Sequence, residues 1–276
     1  AAVWPACAQR RRCLRRSNDS VVLSGQYNAG RKVRRLTRSV ICPHDIMNES
    51  DFVVMRQLML VEIAASAIYT SAQLGKAALD RRVLDVMAKV PRHEFVPIEL
   101  QPYAYANFPL PIGFGKTISQ PFIVALMTDL LEIAPTDRVL EIGTGLGYQT
   151  AILSKLAQHV YSIEIIEELA VRARQKLARQ GHTNVEIRVS DGSAGWAEHA
   201  PFDKVIVTAA PELIPPPLIY QLKNRGKMVI PAGLADAQQL MVVAKDASGS
   251  VSTANILPVR FSRLEEPEAA GDPRAT

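Results

Sequence analysis

The chain has 276 residues, of which 48% are hydrophobic and 21% charged, and its 32 basic and 27 acidic residues give a formal net charge of +5. This length suits one large domain or two small ones, with enough residues for a sizeable core. The composition excludes a collagen, a disulfide scaffold and a chain that is disordered throughout.

The positive charge and the cysteines are concentrated near the N-terminus. Residues 1–46 hold ten basic and two acidic residues, whereas residues 47–276 hold 22 basic and 25 acidic ones. All three cysteines, Cys7, Cys13 and Cys42, also lie in the first segment. The body of the chain therefore has a formal charge of −3 and offers no cysteine nucleophile, thiolate metal site or disulfide framework.

Residues 1–46 have no apolar periodicity and no apolar run of the length found in signal peptides. We expect an extension without ordered structure or catalytic role. Its Arg-rich, acid-poor composition is also typical of organellar transit peptides and of nucleic-acid-binding tails. A further interpretation is a start-site artefact, with translation beginning at Met47, where the first amphipathic pattern opens.

Residues 47–121 are predicted to form a helical and loop region. Helices are expected over residues 52–76 and, with Asp80 as the N-cap, through Lys89. Arg56 and Glu62 interrupt the apolar residues of the first helix, so we predict no transmembrane segment. Residues 91–121 are rich in proline, glycine and aromatic residues without a period, which indicates a long, ordered, functional loop.

From residue 122 to residue 264 the pattern alternates between helices and short apolar strands. Helices are predicted over residues 122–133, 147–156, 167–180 and 216–223, and strands over residues 138–142, 159–165, 185–189, 204–208, 227–231, 239–244 and 255–261. This alternation predicts an α/β fold with a doubly wound, mostly parallel sheet. The last two strands are expected to form an antiparallel hairpin at one edge, and the tail, residues 265–276, is expected to be frayed.

A glycine-rich turn follows the first of these strands, in the run Glu141-Ile142-Gly143-Thr144-Gly145-Leu146-Gly147. Glycines let a ligand approach the backbone closely. The spacing is one residue shorter than the dinucleotide fingerprint, and with the preceding acid it resembles the first motif of class I methyltransferases. An acid, Glu164, ends the second strand 17 residues after Gly147, and Asp191-Gly192 follows the third.

Ligands bind beyond the carboxyl ends of such strands. We therefore expect Glu164 to accept the ribose hydroxyls of S-adenosylmethionine, and Asp191 with Gly192 to meet its adenine edge. The complete expected cofactor-binding set is Glu141, Gly143, Thr144, Gly145, Gly147, Glu164, Asp191 and Gly192.

More restrictive segments extend the resemblance to a particular family over residues 52–263. They run from Pro109 to Gly113 and from Thr117 to Ala125, with further matches at Val90 to Pro97, Pro201 to Pro211 and Pro258 to Phe261. In these segments the chain resembles the protein-L-isoaspartate O-methyltransferases. The resemblance implies S-adenosylmethionine as methyl donor, no metal, and the α-carboxylate of L-isoaspartyl residues in damaged proteins as acceptor, which starts their return to aspartyl through a succinimide.

The same resemblance makes Ser119 the catalytic serine and places Thr117, Gln120 and Pro121 beside it in the substrate site. Two alternatives remain open: a methyltransferase acting on RNA, supported only by the basic tail, and a binding module that keeps the cofactor fold without turnover. The fourth predicted strand ends in Thr208-Ala209-Ala210-Pro211, without the Asp-Pro-Pro-Tyr motif of similar base N-methyltransferases, which weakens the RNA alternative. We expect a cytoplasmic monomer without nucleic-acid or membrane partners, although the extension leaves a transit peptide open.

Overall fold

The computed structural model describes residues 47–265. The expected basic extension over residues 1–46 and the expected tail beyond residue 265 lie outside the described residues. The helices are α1 Glu49–Tyr69, α2 Ser71–Leu74, α3 Arg81–Met87, α4 Pro121–Leu131, α5 Tyr148–Ser154, α6 Glu167–Arg179 and α7 Pro216–Tyr220. The strands are β1 Leu110–Gly113, β2 Lys116–Ile118, β3 Arg138–Ile142, β4 His159–Glu164, β5 Val185–Val189, β6 Phe202–Val207, β7 Leu222–Ala232, β8 Gln239–Lys245 and β9 Val251–Pro258.

Seven of the strands form one sheet in the order β5-β4-β3-β6-β7-β8-β9, and β1 and β2 form a separate antiparallel hairpin. Strands β3 to β7 are parallel, whereas β8 and β9 pair antiparallel at one edge. From β3 the chain adds β4 and β5 on one side of the sheet and then β6 and β7 on the other side. Parallel sheets bind ligands at such a point, where the strand order reverses. The predicted doubly wound sheet with an antiparallel edge is confirmed.

The central strands are buried on both faces because helices or turns cover each side. Along β3, Val139 joins a core cluster with residues of α1, α3, α4, α5 and α6, while the next residue, Leu140, joins a second cluster with α7. Alternate residues of a strand point to opposite faces. The largely apolar sequences of β3, β4 and the second half of β6 follow from this two-sided burial.

Helix α1 begins with a capping box, in which the Asn48 side chain accepts from the Asp51 backbone N–H and the Asp51 side chain accepts from the Asn48 backbone N–H. Its inner face packs into the core through Phe52, whose ring stacks on His93 at 3.8 Å between centroids. By length and composition alone α1 satisfies the criterion for crossing a membrane. Arg56 and Glu62 are therefore too few charged residues to exclude a membrane-spanning helix on composition. Core helices of soluble proteins also satisfy this criterion, so it does not identify a membrane span.

Several predicted bounds were wrong. The helix expected over 52–76 is divided into α1 and α2 at Thr70, and α7 ends at Tyr220 rather than at residue 223. Strand β7 is more than twice the length expected, because its first half is a polar run, Lys223-Asn224-Arg225-Gly226, that carries no apolar signal. The expected loop over residues 91–121 contains two 3-10 helices, at Arg92–Phe95 and Ile98–Tyr103, and the β1–β2 hairpin. The last strand ends at Pro258, and residues 259–261 are irregular.

Candidate active site

A cavity of about 520 Å³ opens at the carboxyl ends of β3, β4 and β6. This volume lies in the range of small-molecule sites, ~300–1,000 Å³. The glycine-rich turn after β3, the end of β4, the β1–β2 hairpin and the irregular segment after β9 all contribute to its wall. Among the residues expected to form the site, those lining the cavity are Thr117, Ser119, Gln120, Gly143, Gly145, Glu164 and Gly192.

The glycine-rich turn passes through backbone conformations that side chains disfavour. Gly143, Gly145 and Gly147 have φ values of 95°, 57° and 94°. A Cβ atom at position 143 would lie 2.3 Å from Thr208 Oγ1, and one at position 145 would lie 3.3 Å from Ile112 Cδ1. The turn thus fits between the end of β6 and the hairpin only because these positions carry no side chain.

Glu164 joins the end of β4 to the glycine-rich turn. Its Oε2 accepts the Gly145 backbone N–H at 2.7 Å, and its Oε1 accepts the Ile166 backbone N–H at 3.0 Å. Burial raises the pKa of this carboxyl group, and the backbone donors act in the opposite direction. Each oxygen keeps a further lone pair, so the side chain is able to accept hydroxyl groups of a ligand in the cavity.

Glu141 lies fully buried on β3 and is absent from the cavity wall. Its Oε2 accepts from the hydroxyls of Thr150 and Ser162, each at 2.6 Å. Burial is the largest cause of the rise of its pKa to about 7, against which the two hydroxyl donors act. The carboxyl group therefore ties β3 to α5 and β4 beneath the turn.

The other expected residues support the cavity wall from outside it. Thr144 Oγ1 lies 2.5 Å from Ser162 Oγ, and Asp191 accepts from the backbone N–H of Ser193 and so caps a short 3-10 helix. Gly147 is the N-cap residue of α5, and Pro121 is the first residue of α4. Thus the structure brings all twelve predicted residues to one end of the sheet but separates those that face the cavity from those beneath it.

Ser119 follows the β1–β2 hairpin and precedes α4. Its backbone carbonyl accepts from Nη2 of Arg92 at 2.7 Å, while Arg92 Nε donates to the Ala104 carbonyl, also at 2.7 Å. The guanidinium lies over the Tyr148 ring, 4.8 Å from its centroid, and is fully buried. Desolvation by this burial lowers the pKa of Arg92 to about 10. The sequence did not indicate a role for Arg92, because no sequence pattern distinguishes a buried arginine from an exposed one.

The remaining wall was not predicted from the sequence. It includes Pro258 at the end of β9, residues 259–265 after it, and Lys116 and Thr208. Lys116 Nζ binds Glu265 Oε1 and so connects the hairpin to this last segment. Thr208 was expected as the last residue of a strand, directly follows β6, and donates its hydroxyl to the Gly143 carbonyl at 2.7 Å. Within residues 47–265 no group of three or more His, Cys, Asp or Glu residues is arranged to hold a metal ion.

The fold and the cavity define the class of protein. A glycine-rich turn, an acid at the end of the adjacent strand and a cavity at the point of strand reversal are the features of a nucleotide-cofactor site in a doubly wound sheet. The shorter glycine spacing and the antiparallel edge assign the chain to the class I methyltransferase fold.

Comparisons with known proteins give the family. Residues 66–269 match the model of the protein-L-isoaspartate(D-aspartate) O-methyltransferase family. A protein-L-isoaspartate O-methyltransferase 1 of Polaromonas sp. (strain JS666) is 72% identical over 222 residues, which are 80% of this chain and 94% of the relative. One from Syntrophobacter fumaroxidans is 56% identical over 210 residues, 76% of this chain and 85% of the relative. The chain belongs to the protein-L-isoaspartate O-methyltransferase family.

Solved structures agree on the fold. A β-aspartate methyltransferase structure from Plasmodium falciparum, in complex with S-adenosyl-L-homocysteine, superposes with a TM-score of 0.61 at 23% sequence identity. The match covers 72% of this chain and 97% of that one. This likeness supports the predicted fold, and the family match over residues 66–269 confirms the family resemblance predicted from the sequence.

Proposed function

We propose that the protein transfers a methyl group from S-adenosylmethionine to the α-carboxylate of L-isoaspartyl residues in damaged proteins and peptides. The observation that carries this proposal is a single cavity lined both by the residues around Ser119 and by the glycine-rich turn with Glu164. Family membership supports the same reaction.

The residues of the cavity fit the cofactor. Gly143 and Gly145 leave the backbone open to close approach, and Glu164 offers a carboxylate for the ribose hydroxyls. Gly192 lies on the same wall, where a Cβ atom would come within 2.3 Å of Ile142 Cγ2. When bound, S-adenosylmethionine supplies an electrophilic methyl group on a sulfonium and leaves as the neutral thioether S-adenosylhomocysteine.

The nucleophile is a carboxylate, which is ionised at neutral pH because its ordinary pKa is about 4. The protein therefore has no proton to remove, and we assign it positioning and exclusion of water instead. Thr117 and Ser119 line the cavity, and we assign their hydroxyls to orient the carboxylate by donating hydrogen bonds. Gln120 adds an amide at the same wall, and Pro121 starts α4 and fixes the direction of this loop.

In the resulting methyl ester, the backbone nitrogen that follows the isoaspartyl residue attacks the ester carbonyl. A carbon–nitrogen bond forms, methanol leaves, and the succinimide then hydrolyses in part to aspartyl. One chain contains every residue assigned here. We further propose a cytoplasmic location, which the bacterial relatives support.

The test uses two synthetic peptides that differ only in an isoaspartyl or aspartyl linkage, incubated with S-adenosylmethionine labelled in its methyl group. We expect base-labile label on the isoaspartyl peptide alone. Equal labelling of both peptides would refute the assigned acceptor. Binding of S-adenosylhomocysteine without transfer to either peptide would instead identify a binding module, and labelling of RNA would identify a nucleic-acid enzyme.

A further inference from the structure

One cation on the cavity wall has no acidic partner among the described residues. The charged residues that line the cavity are Lys116, Glu164, Arg260, Arg263 and Glu265. Lys116 binds Glu265, Arg263 Nη2 binds Glu212 Oε1 at 2.8 Å, and Glu164 is assigned to the cofactor. Within residues 47–265, Arg260 has neither an ion pair nor a side-chain hydrogen bond, so its charge is available to a ligand.

The local structure fixes the backbone around Arg260. On one side of it the Val259 backbone N–H donates to the Gln238 carbonyl at 3.1 Å, and on the other the Phe261 backbone N–H donates to Gln238 Oε1 at 2.6 Å. Val259 and Phe261 pack against the main core cluster, whereas Arg260 between them is exposed. Because the fold holds both neighbours, only the Arg260 side chain has to be ordered when a ligand binds.

Arg260 reaches the cavity from the side away from the ribose-binding strand. Gln238, which holds its neighbours, directly precedes β8, and Gln239 pairs with Ala232 at the end of β7. Strand β8 is four places along the sheet from β4, which ends in Glu164. Neighbouring strands lie about 4.8 Å apart, so about 19 Å separates these two strand ends. This position suits the acceptor peptide rather than the ribose of the cofactor.

A guanidinium is permanently charged, and its planar donors match a carboxylate. The carboxylate that accepts the methyl group is a poor partner for it, because the pair would stabilise the charge that methylation removes and so oppose transfer. Thr117 and Ser119 are assigned to that carboxylate instead. We propose that Arg260 is a specificity-determining residue that binds an acidic side chain near the isoaspartyl residue in the peptide. This inference rests on the proposed function, since it names a subclass of the same substrates.

Isoaspartyl peptides that carry Glu, Gln or Lys at one of the two positions before or after the isoaspartyl residue test the proposal. At one or more of these positions we expect kcat/KM to be about two- to fivefold higher with Glu than with Gln, the range of an exposed ion pair, and lower again with Lys. The difference should lie mainly in KM and shrink in about 0.5 M NaCl. Arg260→Gln should remove the preference, and Arg260→Glu should reverse it.

Arg263→Gln is the matched control, because it removes the same charge from the same segment but from a pair with Glu212. This variant should keep the preference for Glu over Lys. Equal loss of the preference in Arg263→Gln and Arg260→Gln would overturn the proposal, since the net charge of the cavity would then explain it.

Two other results would also overturn the role of Arg260. One is equal kcat/KM of the wild-type protein for all the peptides. The other is weaker binding of S-adenosylhomocysteine to Arg260→Gln, which would assign the arginine to the carboxylate of the cofactor. The peptides with Gln test the proposed function separately, because a wild-type protein that methylates none of the isoaspartyl peptides would refute that function itself.

Discussion

A substitution of Arg92 tests how the backbone at Ser119, between the β1–β2 hairpin and α4, is held in position. The guanidinium is fully buried and makes no ion pair with any residue in 47–265, yet it donates to the carbonyls of Ala104 and Ser119. We consider the substitution Arg92→Met, which keeps an unbranched side chain of similar length but removes the charge and the donors. Since Arg92 does not line the cavity, it acts through Ser119 as a positioning residue.

The effect on stability is the difference of two large contributions. Each hydrogen bond from a charged donor contributes about 1.5–3 kcal/mol, so the loss of both costs about 3–6 kcal/mol. Against this, the pKa of about 10 that burial gives Arg92 corresponds to roughly 3 kcal/mol of free energy spent on keeping the cation buried. We expect a net loss of about 0–3 kcal/mol in the free energy of unfolding, which a folded domain of this size tolerates.

The effect on catalysis should be larger than the effect on binding. Without the bond from Nη2, the Ser119 carbonyl loses its anchor, and a displacement of about 1 Å in a reacting group costs about 100-fold in rate. We expect kcat for an isoaspartyl peptide to fall about 10- to 100-fold, with less than about threefold change in the dissociation constant of S-adenosylhomocysteine. Arg92→Lys should recover only part of kcat, because one ammonium does not reproduce the fork of a guanidinium.

The assay measures kcat and KM with the peptide, the affinity for S-adenosylhomocysteine by calorimetry, and the unfolding free energy in urea. Arg82→Met is the matched control, since Arg82 Nη2 donates to the Ile133 carbonyl at 2.9 Å but does not line the cavity. The positioning role of Arg92 is refuted if Arg82→Met lowers kcat as much as Arg92→Met does. It is also refuted if Arg92→Met weakens binding of S-adenosylhomocysteine in proportion to the loss of kcat.

Three further outcomes are expected. Ser119→Ala should lower kcat about 10- to 100-fold while affinity for S-adenosylhomocysteine is retained, and calorimetry showing equal loss of that affinity would place Ser119 on the cofactor side. Glu164→Ala should weaken S-adenosylhomocysteine binding by at least about tenfold, since a buried acceptor of ligand hydroxyls is removed, and unchanged affinity would contradict its ribose role. For Glu141, the pKa of about 7 in the folded state exceeds the ordinary value of 4.5. Between these two values the folded state binds a proton that the unfolded state has released. The free energy of unfolding should therefore fall as pH rises through this window, by at most about 3 kcal/mol. Glu141→Gln keeps an acceptor for Ser162 and should flatten this dependence in urea unfolding at pH 5 and pH 8; an unchanged slope would contradict the assignment.

The sequence predicted the central strands well because burial on both faces leaves largely apolar runs, as in Arg138–Ile142, which matches the structure at both ends. The outer strand Val185–Val189 also matches at both ends, but its apolar and charged residues alternate. The sequence predicted part of the cavity wall for a related reason: a glycine-rich turn and an acid at a strand end are signals that are visible in the sequence itself. The hairpin was missed because its strands, Leu110–Gly113 and Lys116–Ile118, have only four and three residues.

The rest of the site depends on contacts that have no local signature. Residues 259–265 are irregular and carry no period, so only the fold shows that they close the cavity. For Glu141 the sequence motif is informative but incomplete, since it predicts only that the residue lies near the ligand. The structure shows that Glu141 lies beneath the turn, where its Oε2 accepts from the hydroxyls of Thr150 and Ser162.

The contact between Lys116 and Glu265 has a consequence for turnover. It joins the hairpin to the last described segment, both of which line the cavity, and the Glu265 side chain is half exposed. An ion pair of this kind contributes about 0.2–1 kcal/mol, so thermal motion breaks it often and salt weakens it further. Among the described residues, this contact therefore adds little to the free energy that holds a ligand in the cavity. We expect the release rate of S-adenosylhomocysteine to depend on the glycine-rich turn and Glu164 far more than on this ion pair.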